Sequence, residues 1–308
     1  MSNLSHAEVA DKLKELKLEL SPKISYRLET LFPRIEGWSA KGWIRVKFRA
    51  VKQLEPLLEE ILLKGEQVLL VTSGNEWTLS RLFRKGGLKA ASTSCRAIVM
   101  TNLRVLSFRT KDNGRPLNMI WSIYYSQLES LEVSLLGYTR LELRDGEKLH
   151  YPNINKEDQR WMQHLAAENR QIFRDHHFDP PVTQSCEQLC GQCFGAIPAD
   201  HYECRHCGAV YWSPLEIGIR SFLFPSWGEI LMKNYLMAYF EFNLFFLFFM
   251  MALLAAFKGM YFTGMSLFVL TCLLDAVLNM QAAAKGLYLK KASPISMKAE
   301  SPPRSSAL

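Results

Sequence analysis

The spacing of apolar positions changes character along this chain. Val9, Leu13, Leu16 and Leu20 recur at helical spacing among lysines and glutamates, predicting a helix over 6–20 that Ser21-Pro22 interrupts. Leu54, Leu57, Leu58, Ile61 and Leu62 form one stripe with Glu59 and Glu60 outward, predicting a packing helix over 50–64. From Gly65 the period becomes that of strands, at Gln67 to Val71, Ala97 to Met100 and Arg104 to Phe108, with Gly, Ser, Thr and Asn between them. Asp112-Asn113-Gly114 marks a tight turn. Further strands are predicted over 118–125, 128–135, 138–143 and 148–151, with Arg144-Asp145-Gly146-Glu147 as a hairpin turn. A helix over 156–173 follows, whose Trp161, Leu165 and Ile172 can lie on a sheet. Many short antiparallel strands closed by one helix predict a small β-barrel.

The last third is different. Tyr235 to Phe257 is 23 residues of mostly Leu, Phe, Met and Ala, and a second apolar run, Met260 to Leu278, follows Lys258-Gly259. About 20 apolar residues in a helix cross a hydrocarbon core of about 30 Å, and so short a connection makes the two runs an antiparallel hairpin. Arg220 and Lys233 precede the first run and Lys285, Lys290 and Lys291 follow the second, against Lys258 alone in the turn. The positive-inside rule then places both termini and the soluble part in the cytoplasm. Phe222, Phe224, Pro225 and Trp227 just before the hairpin predict an interfacial or partly re-entrant element within residues 214–233. Met1 to Lys17 contains no apolar core stretch, so no cleaved secretory signal is expected. The tail over 290–308, rich in Ser and Pro, is expected to be disordered.

The run Gly65-Glu66-Gln67-Val68-Leu69-Leu70, then Ile98-Val99-Met100-Thr101-Asn102-Leu103-Arg104-Val105-Leu106, then a final helix, resembles the pleckstrin-homology-like and GRAM-like domains common in bacteria. The resemblance spans residues 65–176 and implies a scaffold that binds lipid head groups or peptides and not a catalyst. Phe222-Leu223-Phe224-Pro225-Ser226-Trp227-Gly228 similarly resembles the lead-in to bacterial membrane hairpins that follow zinc ribbons. A fold does not fix a function, so the candidate sites decide.

Seven cysteines are present, four of them in two pairs, Cys190-Gly191-Gln192-Cys193 and Cys204-Arg205-His206-Cys207, separated by ten residues. In a reducing compartment this spacing signals metal. Two cysteines three apart can direct both thiolates at one ion, and two such knuckles face to face give the closed four-thiolate site that Zn2+ favours. The string 190–208 resembles the zinc-ribbon modules of many bacterial proteins. With four thiolates the site has no open coordination position, which makes it structural. Cys186, His201 and His206 are expected to be bystanders, Cys95 has no partner visible in the sequence, and Cys272 is left over from the pairs. Arg205 is the only basic residue between Cys190 and Cys207, so no extended phosphate-binding surface for nucleic acid is visible.

The net charge is +7 and the sequence pI about 9.0, with a mean hydropathy of -0.05 that conceals the apolar end. Between Trp77 and Lys111 stand Arg81, Arg84, Lys85, Lys89, Arg96, Arg104, Arg109 and Lys111, with no acid. Arg81, Arg84, Lys85 and Lys89 fall in a loop that contains Gly86-Gly87 and joins the first two predicted strands. Many pleckstrin-homology domains contact phosphorylated head groups from that position. These four are the candidate contacts to anionic lipid, each contributing about 1 kcal/mol near an anionic leaflet; the competing reading is a solvated basic face. Within the apolar runs Glu241, Asn243, Asp275 and Asn279 are polar, and all lie toward the cytoplasmic ends of an antiparallel hairpin. Interhelical hydrogen bonding or snorkelling is the simplest account of them.

Together these observations predict a multidomain α+β membrane protein. Its parts are an N-terminal helical segment (1–64), a pleckstrin-homology-like barrel with its helix (65–176), a linker (177–185), a zinc ribbon (186–213), the interfacial segment (214–233), the hairpin (234–289) and the tail. There is no Walker loop, dinucleotide fingerprint, H-E-x-x-H or G-x-S-x-G. The expected function is that of a noncatalytic membrane-anchored adaptor or sensor, with anionic lipid, a protein partner or a second copy of the chain as partner. Two alternatives stay open: a subunit of a membrane enzyme or transporter using Glu241 and Asp275, and a membrane-tethered nucleic-acid-binding regulator.

Overall fold

The computed structural model describes residues 4–75, 95–110, 114–134, 137–284 and 286–292. The chain forms two compact units, Met1–Ala199 and Asp200–Leu308.

The first unit opens with α1 (His6–Glu15), capped by a reciprocal box in which Glu8 N donates to Ser5 Oγ and Ser5 N to Glu8 Oε2. It is shorter than the expected 6–20, because Lys17 takes a left-handed backbone (φ 55°) and turns the chain. Then come β1 (Ser25–Tyr26), α2 (Leu28–Leu31) and α3 (Ala40–Ile61). The strands are β2 (Gln67–Asn75), β3 (Cys95–Thr101), β4 (Arg104–Thr110), β5 (Pro116–Tyr124), β6 (Leu128–Val133), β7 (Thr139–Leu143) and β8 (Lys148–Tyr151). After α4 (Lys156–Asp175) the unit closes with β9 (Glu187–Leu189) and β10 (Ala196–Ile197).

No closed barrel is present among the described residues, which corrects the expected one. A seven-stranded sheet runs in the order β1-β2-β3-β4-β5-β9-β10, and β6-β7-β8 form a separate sheet of three. The reason lies at β5. Its second edge pairs with β9, at Ile120↔Leu189, Trp121↔Gln188 and Ser122↔Glu187, so β6 begins a new ladder beyond a single 3-10 turn at Tyr125–Gln127.

Both faces of the large sheet are covered, which explains the unbroken apolar runs in β2 and β3. Val68, Val71, Val99, Leu106 and Phe108 pack with Val9, Leu31, Ile44, Leu54 and Leu58 from the N-terminal helices. On the other face Leu69, Leu70, Ile98, Met100 and Val105 pack with Leu128, Leu141, Met162 and Leu165. Leu69 and Leu70 share a face because the register shifts by a bulge between Val68 and Leu70. Each fully buried Leu, Ile or Val contributes about 1.5–3 kcal/mol. Lys47 on α3 is buried as well, and its ammonium donates to Asp158 Oδ1 of α4 at 2.6 Å while Thr72 of β2 donates to Oδ2 at 2.7 Å.

The second unit contains β11 (Val210–Tyr211), α5 (Pro214–Leu223), α6 (Trp227–Leu231), α7 (Tyr235–Phe257), α8 (Tyr261–Ala283) and β12 (Leu289–Lys291). Ser213 and Glu216 form a capping box on α5, with Pro214 in the first turn where its missing N–H costs nothing. Helices α7 and α8 are each 23 residues long and apolar enough to cross a membrane, and only 6% and 11% of their most apolar stretches are buried. A core helix of a soluble protein would have that apolar surface covered. The helices approach closely at Gly264, where an added Cβ would lie 2.6 Å from Ala252 O. Beyond the hairpin β12 pairs antiparallel with β11, at Val210↔Lys291 and Tyr211↔Leu289.

Candidate functional site

Cys190, Cys193, Cys204 and Cys207 form a cluster in which the four Sγ atoms all lie within 4.8 Å of one another. None of the four is in a disulfide. The two knuckles repeat one backbone design. In the first, Phe194 N donates to Cys190 O at 3.0 Å and Cys190 N to Gly195 O at 2.9 Å. In the second, Gly208 N donates to Cys204 O and Cys204 N to Ala209 O, both at 2.8 Å. The fourth residue after each first cysteine takes the left-handed conformation, Phe194 at φ 57° and Gly208 at φ 69°. Gly208 fills that role as its chemistry suggests. Gly195 does not, since the turn falls one residue earlier on Phe194, whose ring packs against the apolar core of the first unit. Four clustered sulfur donors, soft as thiolates, fit a tetrahedral metal ion without a fifth partner.

The residues near the cluster behave as neighbours. Cys186 packs against the core shared by α4 and the three-stranded sheet. His201 and His206 are exposed, as is Arg205. Cys95 Sγ lies 3.5 Å from Asn75 Oδ1 in the β2–β3 ladder, and Cys272 is buried on α8. Glu187, buried on β9 just before the first knuckle, has its carboxyl held above the usual range by burial, an effect opposed by the Thr183 N–H and the Arg104 charge.

Of the four polar residues in the apolar runs, the structure brings two together, and with a purpose absent from the expectation. Asp275 Oδ2 accepts from Asn279 Nδ2 at 3.0 Å and from the backbone N–H of Ser226 at 3.1 Å. Ser226 is the first residue outside α6 and has a left-handed backbone, φ 77°. Gly228 N donates to Ser221 Oγ at 3.0 Å, and a Cβ on Gly228 would lie 2.8 Å from Asn279 Cγ. Asp275 and Asn279 on α8 therefore fasten the turn between α5 and α6. Asn243 bonds back to Tyr239 O of its own helix at 2.6 Å, and Glu241 is partly buried on α7. The signal that could have found this arrangement is Ser226-Trp227-Gly228, a polar and a small residue inside an otherwise bulky aromatic stretch.

Arg81, Arg84, Lys85 and Lys89 lie outside the described residues, so the candidate lipid loop has no geometry to report. The basic run that contains them is not a continuous surface, however. Arg104 is 5% exposed and bonded to Glu66. Arg96 is 2% exposed, with its guanidinium 3.9 Å from the centre of the Trp121 ring. Charge counted along the sequence overstates the charge available to a ligand.

No family model matches the chain, and no curated protein matches it. A solved structure described as the crystal structure of the C-terminal domain of an unknown protein from Leishmania infantum is similar over 42% of this chain and 98% of that chain, at 13% identity and a TM-score of 0.25. A likeness that slight supports no reading of fold or function, so the sites carry the argument.

Proposed function

We propose that this protein is a noncatalytic adaptor or sensor anchored in a membrane by α7 and α8, with both flanks of the hairpin on the cytoplasmic side. The observation that carries the reading is the β11–β12 ladder. Strand β11 precedes the hairpin and β12 follows it, so their pairing requires the chain to enter and leave on one side. Lys290 reinforces the return by donating to Glu216 Oε1 at 2.6 Å, and Trp212 has Arg220 and Lys290 against its ring at 4.5 and 4.6 Å. Leu215, Ile219, Phe222, Leu223 and Trp227 are exposed on α5 and α6, which suits an element lying in the headgroup region.

In this reading the four cysteines hold a structural Zn2+, and residues 65–176 are a pleckstrin-homology-like unit. Four meandering strands, then three, then one helix support that assignment. Its partner is anionic lipid or a protein. The part played by Asp275 weighs against a transporter, because its carboxylate accepts the Ser226 N–H instead of lining a path.

Alkaline carbonate extraction of membranes carrying the full chain, with a tag at each end, tests the proposal. Retention in the pellet with both tags cleaved by protease added on the cytoplasmic side is expected. Release by carbonate, or one protected tag, would overturn it.

A further inference from the structure

The C-terminal end of α4 borders a cavity of about 580 Å3 in the first unit. Arg144, Arg170, Arg174 and His177 line it, and Phe173 and Phe178 give it an apolar side. Two acids also line it, Glu129 and Asp179. Asp179 is engaged, accepting from Arg144 at 3.3 Å and from Gln127 at 3.2 Å. Among the described residues the guanidinium groups of Arg170 and Arg174 make no ion pair or hydrogen bond.

These two arginines stand four apart on α4, a spacing at which like charges destabilise a helix. Burial, and then the neighbouring Arg174 charge, lower the pKa of Arg170 against the opposing pull of the Glu129 charge, and Arg170 remains protonated at neutral pH. Such a pair is retained at a cost that an anion between the two groups would remove.

A helix C-terminus ordinarily repels an anion, because its last carbonyls carry partial negative charge. Here those carbonyls are occupied. His176 N donates to Ile172 O at 3.0 Å, His177 N to Arg174 O at 3.1 Å and Phe178 N to Phe173 O at 2.9 Å. The last two bonds define a Schellman cap, completed by the Phe173–Phe178 edge contact at 4.9 Å. Its left-handed position, where glycine is usual, is His177 at φ 51°. An imidazole therefore occupies a strained backbone position beside the cavity, and strain of that kind clusters at ligand sites.

We propose that this cavity binds a phosphate monoester, with Arg170 and Arg174 gripping the phosphate, Arg144 at the rim, and the organic part of the ligand against Phe173 and Phe178. The charge selects the ligand. Two guanidinium forks with no hydrogen-bonded acid, facing one Glu129 charge, match a group with three terminal oxygens and nearly two negative charges better than a carboxylate or a phosphodiester, each with one. The monoester could belong to a soluble metabolite or to a lipid head group of the phosphatidic acid type. None of the residues named for the site belongs to the stretch 81–89, and its failure would leave the membrane-anchor proposal untouched.

The full chain in neutral detergent would be titrated calorimetrically with inorganic phosphate and glycerol 3-phosphate. In parallel, hydrogen exchange at residues 170–179 would be compared in phosphatidylcholine nanodiscs with and without phosphatidic acid. Saturable binding of glycerol 3-phosphate identifies a soluble ligand, and protection only with phosphatidic acid identifies a lipid. In either case Arg170→Gln/Arg174→Gln should weaken the effect at least tenfold without lowering Tm, whereas Arg160→Gln, on the same helix but outside the cavity, should leave it unchanged. No response to any of the three phosphates, or a response that survives the double substitution in a folded protein, would overturn the proposal.

Discussion

Arg104 and Glu66 meet in the interior as a two-pronged pair, Nε donating to Oε1 and Nη2 to Oε2, each at 3.0 Å. Arg104 Nη2 also donates to Ile61 O at 2.9 Å, and Thr101 Oγ1 lies 2.7 Å from Glu66 Oε1. The pair ties the end of α3 to the β3–β4 turn. Removing one partner strands the other as a buried charge, so Arg104→Met or Glu66→Met alone should cost about 3–5 kcal/mol. The double substitution should recover most of that loss, because two apolar side chains of similar volume leave no charge behind. Chemical denaturation of the full chain and the three variants in detergent measures it, and strictly additive losses would disprove the coupling.

That pair also explains what was legible in the sequence. Gly65-Glu66 and Thr101-Asn102-Leu103-Arg104 read as a family pattern. Their physical content is this buried network, together with Asn102 Oδ1 accepting from Gln67 N at 2.8 Å and Asn102 N donating to Gln67 O at 3.1 Å. Strands β2 to β8, α4 and both long apolar helices were visible because each carries a sustained period or an unbroken apolar run. β1, β9 and β10 are two or three residues long and contain no period, so the partner that β9 gives β5 was invisible and a closed barrel was expected instead. Helix α3 starts at Ala40, ten residues before the expected start at 50; Lys47 interrupts the pattern there, and only the fold reveals that Asp158 neutralises it. Cysteine spacing disclosed the four-thiol cluster, while the left-handed turn at Phe194 carried no signal.

One equivalent of Zn2+ per chain should copurify with the protein and be released by thiol modification. Cys193→Ser and Cys207→Ser should each abolish stoichiometric binding, since three thiolates and a hydroxyl make a poor match to the closed site. Cys186→Ser should leave the metal content at one. Metal analysis with exchange protection over residues 187–211 checks this, and full zinc retention in Cys193→Ser would refute the four-ligand assignment.

Glu187 predicts a pH dependence. Its folded carboxyl is raised above the usual value, chiefly by burial, so the native state holds this proton at pH values where the unfolded chain has lost it. Its contribution is fully present below about pH 4.3, the unfolded value, and is lost as pH rises through the higher folded value. Glu187→Gln keeps an acceptor for Thr183 N, 3.2 Å away, without a charge to bury. The variant should therefore be more stable than the native chain at pH 7 and converge with it toward pH 4. A wild-type-minus-variant stability difference that stays constant over that range would rule the account out.

The turn before the hairpin depends on Gly228. A methyl there would collide with Ser221 Oγ and press on Asn279, whose Cβ would lie 2.9 Å away. Overpacking of this kind costs about 1–3 kcal/mol. Gly228→Ala should therefore lower Tm in detergent, and Asp275→Ala should do so independently by leaving the Ser226 N–H without its carboxylate. Ser221→Ala removes the hydroxyl that obstructs the new methyl, so Ser221→Ala/Gly228→Ala should lose less than the sum of the single losses, with a coupling of about 0.5–3 kcal/mol. Asn279 still presses from the other side, which keeps the rescue incomplete. Full additivity in that cycle would mean that the close fit of Gly228 to Ser221 has no energetic weight.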